Sequence, residues 1–215
     1  MFWIVTQSLL SGLATTFEIF ILTLIFALPL GLILAFGLLS KFTPLKRLVQ
    51  ILVWIIRGTP LMLQLMVVYF GPYYLFGMRI STGYRMTAVL IGFAINYAAY
   101  FAEIYRGGIE AIPVGQYEAA KVLGYSKSQT FFRIVFPQVC KHILPAVTNE
   151  IITLVKDTSL AFVLAVTEMF TMAKQIAAAQ TSMVPYIAAG IFYYVFNLLV
   201  AMIMEKIEEK LNYYH

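Results

Sequence analysis

The sequence predicts an all-α integral membrane protein with five transmembrane helices, and three observations lead there. Apolar residues make up 61% of the 215-residue chain and charged residues 12%, against roughly 25% charged in an average soluble domain. Five mostly apolar stretches recur, each near the about 20 residues needed to cross the hydrocarbon of a bilayer. Short alternating strands with turn signals, which a membrane barrel would need, do not recur. There is no fixed-period repeat and no low-complexity tract, so a single domain over 1–215 is expected. The lone Cys140 rules out an internal disulfide framework and a Cys-x-x-Cys metal site.

Segment one covers about 13–39. No Lys or Arg precedes Lys41, so the basic flank of a secretory signal is missing and the segment is expected to persist as a helix. Glu18, in its outer half, either joins a polar lumen or reaches outward, and the second is expected. Segment two covers about 48–70 and contains Arg57-Gly58-Thr59-Pro60. Pro60 lacks a backbone donor and Gly58 weakens the helix, so a break is expected here, its freed backbone groups facing protein or water. If 48–56 instead lay along the membrane surface, only about a dozen residues would remain before Gly71-Pro72, too few for about 30 Å at 1.5 Å per residue. A single broken span is therefore expected.

Segment three covers about 84–105. Asn96 sits near mid-membrane, either as glue between helices or as a substrate or pore contact. Glu103 and Arg106 are three apart and positioned to pair at the boundary. Next comes the longest polar interruption, 115–137, with Gly115, Glu118, Ala119, Ala120, Lys121 and Gly124 at its head. The alanines favour a short helix able to lie close against a partner, and Gly124 suits its C-terminal stop. A docking helix and an ordinary hydrated helix both fit.

Segment four covers about 143–166 and concentrates the polar chemistry: Asn149, Glu150, Thr153, Lys156, Asp157 and Thr158. A charged group near the bilayer centre costs roughly 2.5–3.5 kcal/mol on insertion scales, so these should face a cavity or another subunit. Glu150, Thr153 and Asp157 share one helical face. Two carboxylates there suit an α-ammonium or a basic side chain, and Lys156, about 100° round the helix from Asp157, could hold the substrate carboxylate or neutralise a neighbouring acid. Structural ion pairs between subunits are the alternative. The stretch 167–185 is long enough for a short external helix. Segment five covers about 186–204, with Asn197 its one strongly polar interior residue. His142 and His215 lack a second ligand at helical spacing, so no metal site is expected.

Basic residues set the orientation. Lys41, Lys46 and Arg47 follow segment one; Arg106, Lys121, Lys127, Arg133 and Lys141 lie between segments three and four; Lys206 and Lys210 follow segment five. Only Arg79, Arg85 and Lys174 fall on the other side. The amino terminus is expected outside and the carboxyl terminus in the cytoplasm. The net charge of +5 needs no nucleic-acid partner.

Glu118-Ala119-Ala120, three residues, Gly124, nine residues, then Ile134-Val135-Phe136-Pro137 resembles the EAA loop of ABC-importer permease subunits, with Phe136 where the pattern has Leu. Arg57-Gly58-Thr59-Pro60 resembles a signature of the polar amino acid subfamily, and 96–108 looks like its third core helix. The resemblance implies a type I importer fold in the bacterial inner membrane, with a cytoplasmic coupling helix and a second permease subunit, identical or related. It also implies a separate ATPase dimer carrying ATP and Mg, and an extracytoplasmic amino-acid-binding protein. The chain has no Gly-x4-Gly-Lys-Ser/Thr loop and no hydrolase motif, so it is expected to be neither the ATPase nor another enzyme and to bind no cofactor itself. The rival readings are an ion-gradient-driven transporter or channel with Glu150, Lys156 and Asp157 as an ion relay, and an intramembrane assembly protein.

Overall fold

The computed structural model describes residues 2–211, and the side chains of 6–211; His215 lies outside the described residues. Helix α1 runs Phe2–Leu38, α2 Thr43–Arg57, α3 Leu61–Phe76 and α4 Tyr84–Glu110. Short α5 (Val114–Val122) and α6 (Lys127–Thr130) follow, and a π-helical turn, Phe131–Val135, leads into α7 (Phe136–Asp157). A 3₁₀ segment, Thr158–Leu164, joins α7 to α8 (Met169–Gln180) and then α9 (Val184–Leu211).

The core forms where α1, α3, α4, α7 and α9 present their apolar faces to one another: Ile19, Leu65, Phe93, Phe101, Leu154 and Val200 are all buried. Small residues let α1 and α4 approach closely. A β-carbon on Gly31 would sit 2.8 Å from the Cβ of Phe101, and Ala27, Ala35, Ala98 and Ala102 are fully buried.

Two expectations are corrected. The break expected at 57–60 is present, but the stretch does not end at 70. Helices α2 and α3 meet at 109°, and α3 runs straight through Gly71-Pro72 to Phe76. Pro72 does not stop it; Gly77 does, in the left-handed region at φ 65°, its N–H donating to the Tyr73 carbonyl at 2.9 Å while Met78 N–H reaches Pro72 at 3.2 Å. With sixteen residues α3 reaches about 24 Å at 1.5 Å per residue, nearer to the about 30 Å of a full span than the dozen residues expected. The second correction is the count. Among the described residues, three helices are long and apolar enough to cross a membrane, four if α2 and α3 count as one span. Helix α7 has the length, at 22 residues, but its polar stripe makes it too hydrophilic to be counted.

Helix α8 is the short helix expected within 167–185. Glu168 caps it, fully buried, accepting from Phe170 N–H at 2.6 Å, Thr171 N–H at 2.7 Å and the hydroxyls of Thr171 and Tyr193 at 2.8 and 3.0 Å. Burial pushes its carboxyl above the usual range, and these hydrogen bonds pull it partly back. Gly12 of α1 lies so close that an added β-carbon would sit 2.8 Å from the Met169 Cα. The end of α8 is thereby tied to both α1 and α9.

Candidate functional site

The break between α2 and α3 frees backbone carbonyls that α3 cannot use, and side chains take them up. The Thr59 hydroxyl donates to Ile55 O at 2.8 Å. Gln64, one turn into α3, turns back: its Nε2 donates toward Ile56 O (2.7 Å), Thr59 Oγ1 (2.9 Å) and Thr59 O (3.0 Å). Asn96 of α4 steadies that amide, its Nδ2 donating to Gln64 Oε1 at 3.0 Å. Asn96 is thus glue between α4 and the break. Sequence reasoning missed Gln64, whose signal was a lone amide in an apolar run four residues after Pro60.

Beside the break lies a cavity of about 340 Å³. Thr59, Pro60 and Leu61 form one wall, Asn96, Tyr97 and Tyr100 of α4 a second, and Glu150, Thr153 and Asp157 of α7 a third. The predicted stripe on α7 therefore faces this cavity, and Asn96 joins it. The buried Tyr97 hydroxyl donates to Asp157 Oδ2 at 2.8 Å, a partner not foreseen. Arg57 stands at the edge, its guanidinium 5.2 Å from the centre of the Tyr100 ring and 3.8 Å from Glu103 Oε1. Glu103 also takes the expected pairing from Arg106, at 2.6 Å.

Other predicted residues are not brought in. Asn149 and Lys156 are exposed and off the cavity, because α7 turns them away from the Glu150–Asp157 face. Two cations act on the cavity carboxylates from outside its lining, Arg57 on Glu150 and Lys156 on Asp157. Glu18 is exposed on α1, and Asn197 Oδ1 is buried on α9 without a hydrogen-bond partner; neither lines this cavity.

The second predicted site is α5. Gly115, Glu118, Ala119 and Lys121 are exposed, and Ala120 is fully buried. Gly124, at φ 77°, closes the helix: Tyr125 N–H donates to Ala120 O and Gly124 N–H to Lys121 O, both at 3.0 Å, the paired bonds of a left-handed glycine cap. A capping box at Ser126 and Gln129 then starts α6. The result is a short, well-terminated helix with one face free.

The family model of the binding-protein-dependent transport system inner membrane component matches residues 27–213. The chain belongs to that family. Such permeases are membrane-embedded transport subunits of ABC importers rather than enzymes. The permease is 38% identical to the arginine transport system permease protein ArtQ of Bacillus subtilis, over 95% of this chain and 92% of the relative. It is 36% identical to the L-cystine transport system permease protein TcyB of the same species, over 94% and 86%. Among solved structures, an amino acid ABC transporter with histidines superposes with a TM-score of 0.86 at 33% identity, covering 95% of this chain and 94% of that one. The inward-facing methionine transporter MetNI shares the fold, with a TM-score of 0.74 at 19% identity, over 99% and 98%.

Proposed function

We propose that this permease carries polar amino acids across the bacterial inner membrane, driven by a separate ATPase dimer that holds ATP and Mg and grips α5. The observation that carries the substrate reading is the cavity between the α2–α3 break, α4 and α7. It presents Glu150 and Asp157 on one wall and Arg57 behind Tyr100 at its edge, a disposition of charge that suits a zwitterion. Two acids in the wall favour a substrate with a basic side chain, consistent with the arginine system named for one relative.

Helices α1, α3, α4 and α9, with α7 turning its polar face to the cavity, form one permease domain, with the amino terminus outside and the carboxyl terminus in the cytoplasm. This places α5 and the basic residues of 106–141 on the cytoplasmic side, as the charge distribution favours, and α8 outside, within reach of an amino-acid-binding protein. A second permease subunit completes the path. An ion relay through Glu150, Lys156 and Asp157 lacks support, because Lys156 is turned off the cavity.

The test is ATP hydrolysis in proteoliposomes by the permease assembled with its ATPase, screened against amino acids and compared with Glu118→Ala. Stimulation by arginine or lysine that is lost in the variant supports the reading. Absence of any ATPase association sinks it.

A further inference from the structure

Helix α2 has three faces, and one of them carries its apolar packing against the described residues of α1 and α4. Val49, Val53 and Ile56 pack on Leu38 of α1 and on Ala99 and Ala102 of α4. At about 100° per residue, Leu45, Leu48, Ile51, Leu52 and Ile55 follow on one flank, every one of them exposed. Lys46, Arg47, Gln50 and Arg57 fall on the opposite flank, and Trp54, itself 61% exposed, stands among them. From Ser40 to Arg57 the sequence holds four basic residues and no acid.

The placement fits this pattern. Helix α2 joins the end of α1 to the start of α3 and meets α3 at 109°. If α3 crosses the membrane, α2 lies close to the membrane plane, at the level of Leu38 and Ala102. An in-plane helix with one apolar flank, one basic flank and an indole at the border has the form of an interfacial membrane helix. Its apolar flank then meets acyl chains, and its basic flank meets headgroups.

We propose that α2 is an in-plane helix that binds anionic phospholipids of the cytoplasmic leaflet through Lys41, Lys46 and Arg47. The occupant is set by charge: Lys41, Lys46 and Arg47, with no acid between 40 and 57, match a negative leaflet, while Arg57 is engaged by Glu103. Zwitterionic lipid offers no net attraction. The contact has a route to transport, because the same helix ends in Arg57 against Tyr100 and its last carbonyls are held by Gln64 beside the cavity. The inference rests on the membrane-crossing reading of α3 but not on the substrate.

The test is photo-crosslinking in the assembled transporter, in vesicles of equimolar phosphatidylcholine and phosphatidylglycerol. The photoreactive residue p-benzoyl-phenylalanine replaces Trp54 in one preparation and Leu48 in another, and adducts are identified by mass. Both sites are expected to yield phospholipid adducts, with phosphatidylglycerol exceeding phosphatidylcholine several-fold at position 54, a basic side chain at a headgroup being worth roughly a factor of five. Lys46→Gln with Arg47→Gln should bring the ratio toward one while the complex still co-purifies and binds nucleotide. Adducts to a protein partner, no adducts, or an equal lipid ratio in the unaltered transporter would each overturn the proposal.

Discussion

Replacing Gln64 and Asn96 separately and together decides what Asn96 is for. Gln64→Leu removes the donor to Ile56 O and Thr59 O and orphans the Asn96 amide. Thr59 borders the cavity, so water can replace part of its loss; the Asn96 amide cannot be served as well. Ile56 O keeps the Thr59 N–H and hydroxyl, each at 3.4 Å, so at about 1–3 kcal/mol for a buried group left unpaired, Gln64→Leu should cost about 1–3 kcal/mol, mainly through Asn96. Asn96→Ala breaks one interhelical bond, worth about 0.6–1.7 kcal/mol within a membrane. The double variant should cost no more than Gln64→Leu alone, because both act through the same contact. Thermal inactivation of the solubilised complex, with uptake measured on the surviving fraction, reads both quantities. Stability unchanged in Asn96→Ala together with abolished uptake would refute the reasoning and make Asn96 a substrate contact.

Glu150→Gln and Asp157→Asn should each lower uptake of a basic amino acid by at least about tenfold, the factor equivalent to 1.4 kcal/mol of lost interaction, with assembly intact; unchanged arginine or lysine selectivity in the double variant would remove these acids from the site. Gly12→Ala and Gly108→Ala should each destabilise the transporter by about 1–3 kcal/mol on a melting curve. The new methyl of the first meets Met169 backbone and that of the second meets Cγ2 of Ile143, a β-branched side chain with one strongly preferred helical rotamer. Gly124→Val, forced into the left-handed region at φ 77°, should cost about 1–2 kcal/mol and uncouple ATP hydrolysis from uptake before it unfolds the bundle, read as stimulated ATPase without transport.

The parts of the fold written in composition were legible from sequence: the helical class, α4 starting at Tyr84, a short helix within 167–185, and the short helix closed by Gly124. The polar stripe on α7 was legible too, because a period of 3.6 fixes which side chains share a face. Its surroundings were not. Tyr97 looked like one aromatic among many, and nothing local says that its hydroxyl reaches Asp157 sixty positions on. Lys156 does not border the cavity, but its charge acts on Asp157, one of the two roles open to it. The break after α2 was legible in Gly58 and Pro60, but the run of α3 to Phe76 was not, because proline was read as a stop at position 72, when within a packed helix a neighbour can take up the freed group. Gln64 went unnoticed for a related reason, since the need it meets exists only once the chain has bent.

One consequence of α4 concerns how far a small movement carries. This helix is unbroken from Tyr84 to Glu110, a rod of about 40 Å, and Tyr97 stands about 20 Å from the end next to α5. A tilt of roughly 10° about that end would sweep the Tyr97 hydroxyl through about 3–4 Å, beyond the reach of a hydrogen bond. The bond to Asp157 is therefore a position gauge: made at one inclination of the rod, broken at the next. A carboxylate that loses its phenol partner at that moment turns toward whatever else in the cavity can donate, so the angle of α4 sets when Asp157 is available to a bound molecule.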